Sequence, residues 1–136
     1  MDTSKEYMIM CHNAKEIREI WKPVEGDFYY SRRNGNSVLT NDLIFLGDKV
    51  LGRLKVDCLW LPRQDQLQEM IIGRYVRHNW PPAASIVWDF SSFADPSEDV
   101  HRYCKSMEQL WLAFVMKEKY KKIWNEKKWI KEKKNE

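Results

Sequence analysis

The stretch from Ser106 to Met116 constrains this chain more than any other. Ser106 and Gln109 have the spacing of a capping box, in which a hydroxyl closes the first turn of a helix. Behind them Met107, Leu110, Trp111, Phe114 and Val115 fall on one helical face. Leu112, Ala113 and Met116 fill the other sides. A helix apolar nearly all round has to be covered from several directions. The spacing predicts a helix over about 106–125 that serves as the hydrophobic spine of the fold. Its second half turns polar, with Lys117, Glu118, Lys119, Lys121 and Lys122 around Tyr120, Ile123 and Trp124.

The rest of the chain has to supply that cover. At 136 residues it has the size of one domain and can bury a core without disulfide or metal staples. Apolar residues are 43% and charged residues 32%, which excludes the low-hydropathy signature of disorder. The three cysteines, Cys11, Cys58 and Cys104, are odd in number and widely spaced, so no disulfide framework is expected. No apolar run approaches a membrane span, and the N-terminal residues lack the pattern of a secretory signal. The expected location is the cytoplasm.

The expected organisation is a loose leader over 1–13, one α+β domain over 14–125 and a lysine-rich tail over 126–136. Ile17, Ile20 and Trp21 predict a helix from Ala14, capped by Asn13 with Glu16 three residues on, and Pro23 ends it. The period then changes. Asp27–Arg33 and Asn36–Thr40 read as strands joined at Asn34-Gly35, the dipeptide favoured in type I′ hairpins. Leu43–Leu46 and Lys49–Val56 read as one or two further short strands, and Asp57–Leu61 as a more secure one. Together they predict a small, mostly antiparallel sheet of three to five strands. After Pro62, Asp65 and Gln68 cap a helix with Leu67, Met70 and Ile71 on one face and Gly73 at its end. Ala83, Ile86, Val87, Phe90, Phe93 and Ala94 predict another, and Asp95 with Glu98 a short one. The fold class is α+β: an N-terminal helix, the sheet, and three or four further helices packed on it.

Two stretches carry a resemblance. Trp60-Leu61-Pro62-Arg63-Gln64-Asp65-Gln66-Leu67-Gln68-Glu69-Met70 is one, and Ser106 to Tyr120 the other. With Ala14-Lys15-Glu16-Ile17, Trp21-Lys22-Pro23 and Gly26-Asp27, they resemble small proteins encoded by phages and prophages of Gram-positive bacteria. The likeness spans about half the chain and does not involve residues 72–105. It implies a phage or prophage origin and a bacterial cytoplasm, and no mechanism. The chain departs from the group at two places. Arg63 stands where Thr is expected, which moves helix capping to Asp65. The ending Trp124-Asn125-Glu126-Lys127-Lys128-Trp129-Ile130 resembles a Trp-Asn-Gly-x-x-Trp tail with Glu126 in place of Gly, which argues against a tight turn; the helix could run further instead.

Few residues point to chemistry. Cys11-His12 with His101-x-x-Cys104 departs from the paired spacing of zinc sites, and Cys104 reads as core and His101 as surface. Five glycines offer no phosphate-binding loop. Glu16, Glu19, Asp48 and Glu69 read as solvated carboxylates. No metal or cofactor is expected, and the reading leans away from an enzyme.

Charge and aromatic residues give two binding candidates. From Lys117 to Glu136 nine Lys face four Glu, net +5, while the rest of the chain is net −2. Lys121, Lys122, Trp124, Lys127, Lys128 and Trp129 could pair with phosphates and stack on bases. Alternating Lys and Glu also describe a solvated helix, and the tail lacks Arg. Arg74, Tyr75, Arg77, His78 and Trp80 form a basic, aromatic connector of the types that anchor interfaces. The polar Gln64 to Glu69 cluster reads as the solvated start of a helix. Of the seven Trp, Trp21, Trp60, Trp88 and Trp111 are expected in the core. The expected function is a non-enzymatic accessory protein that binds another protein. The alternative is a nucleic-acid binder using the tail, and the remote one a small enzyme whose site the sequence does not display.

Overall fold

The computed structural model describes residues 1–40, 46–73, 82–95 and 98–133. The fold is α+β, with an N-terminal helix and a small antiparallel sheet. The chain divides into two compact units, Met1–Arg63 and Gln64–Glu136.

The first unit begins with a helix, not with a loose leader. Helix α1 covers Lys5–Asn13, and the Ser4 hydroxyl accepts from the Tyr7 N–H at 3.2 Å. Tyr7, Met10, Cys11 and Ala14 follow one helical face and all are buried. The Tyr7 hydroxyl donates to the Pro62 carbonyl at 2.6 Å, tying the first turn of α1 to the far end of the unit. Helix α2, Lys15–Ile20, follows after Ala14 and buries Ile17. Asn13 does not cap it. Its side-chain amide donates to the Ile9 carbonyl, because Asn13 is still the last residue of α1.

Strands β1 (Phe28–Ser31), β2 (Gly35–Val38) and β3 (Cys58–Leu61) form an antiparallel sheet in the order β2-β1-β3. The hairpin sits where expected, but its turn differs. Ser31 pairs with Gly35, leaving Arg32, Arg33 and Asn34 as a three-residue loop. Gly35 has φ 69° whereas Asn34 has no positive φ, so the two-residue type I′ turn is not formed. The segment read as strand over Lys49–Val56 is instead helix α3, Asp48–Asp57. Val50, Leu51 and Leu54 have helical spacing, and Leu54 alone is buried, against the period of two that a strand needs. Leu46 is exposed, and the remainder of Leu43–Leu46 lies outside the described residues.

One buried carboxylate organises the entry to the sheet. Asp27 is 1% exposed and accepts from the Trp21 indole at 2.8 Å and from the Val24 N–H at 3.0 Å. The Arg63 guanidinium stands 3.8 Å away and donates to the Gly26 carbonyl at 2.7 Å. The Trp21 ring, so held, stacks on Trp60 with centroids 5.9 Å apart.

In the second unit, α4 spans Gln64–Ile72 and buries Leu67 and Ile71 against the spine helix. It starts at Gln64, so Asp65 already lies within its first turn and is not the cap. Helix α5 is Pro82–Phe93, and a short 3₁₀ turn covers Asp99–Arg102. The spine, α6, is Met107–Tyr120. The Ser106 hydroxyl accepts from the Gln109 N–H at 3.1 Å, as the capping spacing predicts. Gln109 reaches one residue further back and accepts from the Lys105 N–H. Every residue from Trp111 to Met116 is buried. Phe90 of α5 stacks flat on Trp111, with centroids 3.9 Å apart. That register turns Trp88 outward. At 67% exposure it is not the core residue expected from its position in a helix.

The spine stops earlier than its lysine-rich end predicts. Lys121 takes a left-handed φ of 56° and ends α6, and the chain returns as a hairpin of β4 (Lys122–Trp124) and β5 (Trp129–Lys131). The segment 126–136 is therefore not simply a tail. Trp124 and Trp129 face each other across the hairpin, 5.0 Å between ring centroids, and both are buried. Asn125 Oδ1 accepts from the Lys127 and Lys128 N–H groups at 3.0 and 2.8 Å and closes the loop. Glu126, the residue that argued against a tight turn here, adopts φ 75° in this loop. A Cβ makes that conformation costly by about 1 kcal/mol, and glycine bears no such cost. Glu126→Gly should therefore stabilise the second unit by about 1 kcal/mol, read as a raised urea midpoint with an unchanged slope.

Candidate functional site

The interaction candidates Arg74, Tyr75, Arg77, His78 and Trp80 lie outside the described residues. The nucleic-acid candidates do gather in the C-terminal hairpin, but not as expected. Lys121, Lys127 and Lys128 are exposed and Lys122 half-buried. The rings of Trp124 and Trp129 are spent on each other and on the hairpin's inner face, so neither offers a free face for a base. What remains there is a lysine surface without a stacking platform.

The marked concavity is in the first unit, which the sequence did not single out. It is an open cleft of about 1040 Å³. The second half of α1 supplies Met8, Ile9, His12 and Asn13, with Lys5 a turn before them. Helix α3 supplies Val50, Arg53, Leu54, Val56 and Asp57 opposite. The ends of β1 and β3, with Tyr30, Ser31, Cys58 and Leu59, close the floor. The three-residue hairpin loop adds Arg32 and Arg33 to the rim, and α2 adds Arg18.

The electrostatics of the cleft are one-sided. Among the described residues, five cations line it (Lys5, Arg18, Arg32, Arg33 and Arg53) against the one carboxylate of Asp57. Arg18 donates to the His12 carbonyl at 3.2 Å. The guanidinium groups of Arg32, Arg33 and Arg53 make no ion pair with the described residues. Its apolar part is equally unsatisfied. Ile9 is 41% and Val56 79% exposed within it. A helix exposes such side chains at little cost singly, but clustered in a concavity they favour an occupant.

The cysteines are quiet. Cys11 is buried on α1 beside the exposed His12, so the two point apart. His101 is exposed and lies 2.6 Å from the Ala94 carbonyl, whereas Cys104 is buried and its thiol faces the Gln109 carbonyl at 3.6 Å. Among the described residues no group of three His, Cys, Asp or Glu side chains is placed to hold a metal. Burial pushes the Cys11 thiol far up, opposed in part by its contact with Tyr7. Burial likewise pushes Cys104 up to about 12. Cys58, at the cleft floor, is also raised, first by burial and then by the Asp57 carboxylate.

A reactivity order follows. At pH 8 a thiol reagent such as Ellman's should modify Cys58 first, and Cys11 and Cys104 only after denaturation. Stability should also depend on pH in a defined direction. Below about pH 7.5 the buried thiols keep nearly all their protons in both states and contribute almost no slope. Above it the unfolded chain releases them while the fold retains them, so stability falls with rising pH until the Cys104 thiol ionises near 12. Urea titrations at several alkaline pH values check this. A stability that rises through that range contradicts it.

Set against protein-family models, curated proteins and solved structures, the chain finds no match.

Proposed function

We propose that this chain is a non-enzymatic accessory protein of phage or prophage origin that acts by binding another protein in a bacterial cytoplasm. The observation that carries the reading is the first-unit cleft, where the guanidinium groups of Arg32, Arg33 and Arg53, which make no ion pair among the described residues, surround exposed aliphatic side chains. Interfaces recognise partners with this combination: Arg and apolar anchors at the centre, with charge to orient the encounter. Arg32 and Arg33 sit on a tight hairpin loop and Arg53 on a helix, so their guanidinium groups come from firm backbone. The resemblance of the Trp60–Met70 and Ser106–Tyr120 segments to phage proteins supports the origin.

The test is comparative capture. The purified wild-type chain and the Arg32→Glu/Arg53→Glu variant are each exposed to a Gram-positive bacterial extract. A protein retained by the wild type in near-equal amount and lost from the variant is the expected result. Retention that ignores the charge reversal sinks the reading, as does turnover of a substrate by the purified chain with nothing retained.

A further inference from the structure

We propose that the first-unit cleft takes an acidic protein segment carrying aliphatic anchor residues, a partner chemistry that rests on the protein-binding reading above. Three observations set this choice. Among the described residues the charge is predominantly positive, five cations against Asp57, and complementarity calls for an anionic occupant. The cations are mostly Arg, whose planar fork matches a carboxylate with two parallel hydrogen bonds. The walls are aliphatic, with Met8, Ile9, Val50 and Leu54, and among the described lining residues the rings are those of Tyr30 and His12.

The last point separates an acidic protein segment from a nucleic acid. Single strands bind on successive aromatic rings, each stacking one base. Among the described lining residues, the half-buried Tyr30 and the imidazole of His12 provide no such series. Aliphatic side chains, a flexible Met8 among them, instead accept Leu or Ile side chains from a peptide. The anion is thus supplied by Glu or Asp, and the apolar contact by their neighbours in the same segment. Carboxylates at the rim would meet Arg32, Arg33 and Arg53, while the anchor displaces water from Ile9 and Val56.

Fluorescence anisotropy with a labelled peptide of repeated Glu-Leu-Glu-Glu-Leu units tests this on the intact chain. Binding is expected at low salt and should weaken by about tenfold between roughly 50 and 300 mM salt. Arg32→Ala/Arg33→Ala/Arg53→Ala should weaken it at least about tenfold, through lost charge pairing. Val56→Asp should do the same by placing a carboxylate among the anchors. All four positions are at the surface, and matched thermal melts confirm that the variants fold. A peptide with Ser for Leu should bind at least about fivefold more weakly, since the anchor burial is missing.

No binding of the acidic peptide at low salt overturns the proposal. So does equal binding of a Lys-for-Glu peptide, tighter binding of single-stranded DNA, or insensitivity to the Arg changes. The two readings fail separately. If the peptide fails while the extract partner is still lost from the Arg32→Glu/Arg53→Glu variant, protein binding stands and the acidic chemistry falls. If extract capture ignores that variant while the peptide binds in an Arg-dependent way, the cleft chemistry stands without the function assigned to it.

Discussion

Replacing Asp27 with alanine should lower the stability of the first unit by about 3–5 kcal/mol, an effect out of proportion to one surface-length side chain. Three groups lose their partner at once. The Trp21 indole N–H and the Val24 backbone N–H lose an acceptor, and the Arg63 guanidinium, about one-third exposed, loses the charge facing it. An unmet buried donor costs about 1–3 kcal/mol; the indole is one, in a stack with Trp60 that its hydrogen bond orients, whereas the part-buried Val24 N–H can turn to water and adds less. Asp27→Asn should cost less, about 1–2 kcal/mol, because its amide oxygen still accepts from Trp21 while the charge facing Arg63 is lost. Urea unfolding followed by tryptophan fluorescence measures both. Equal losses for the two variants would assign the effect to Arg63 alone, and a loss below about 1 kcal/mol for alanine would deny the network its role.

The second large effect is expected at Trp129. Trp129→Ala should destabilise the second unit by about 3 kcal/mol or more, as large-to-small changes at buried aromatic sites do. The ring covers Trp124 and closes the hairpin that follows α6. Removing residues 126–136 should cost at least as much, because β5 is lost and Trp124 is laid open. That outcome distinguishes a structural hairpin from a charged appendage. A truncated chain with unchanged unfolding would return the segment to the role of a tail. Any loss of nucleic-acid binding in that variant has to be read beside its unfolding curve.

Much of the fold was legible because the strongest signals were local. Ser106 with Gln109 marked the start of the spine helix, and Trp111 to Met116 announced their own burial. The hairpin and β3 followed from strand-forming residues and turn chemistry. The misreadings have physical reasons. Ser4 with Tyr7, Met10, Cys11 and Ala14 is a capped amphipathic face, but the polar Asp2, Lys5 and Glu6 around its start give it the composition of a leader. Val50, Leu51 and Leu54 fit a helix, and Gly47-Asp48 and Gly52 obscured it as punctuation. At the C-terminal end a helix-favouring composition gave way to tertiary pairing of Trp124 with Trp129, and Glu126 tolerated a backbone conformation that composition argues against. The cleft was not legible at all. Its cations run from Lys5 to Arg53 and follow no period; only Arg32-Arg33 hinted at a local patch. Folding, not spacing, gathers them.

The Tyr7–Pro62 hydrogen bond bears on biosynthesis. It joins residues 55 positions apart, and a chain leaves the ribosome N-terminus first. Helices α1 and α2 and the β1–β2 hairpin need only near neighbours. β3 and the carbonyl of Pro62 must clear the exit tunnel before the α1 face is shut. Until then Tyr7, Met10 and Cys11 belong to a nascent helix with nothing to lie on. A stalled chain ending short of residue 62 plus the tunnel's length should therefore leave Cys11 open to thiol reagents that the released protein excludes.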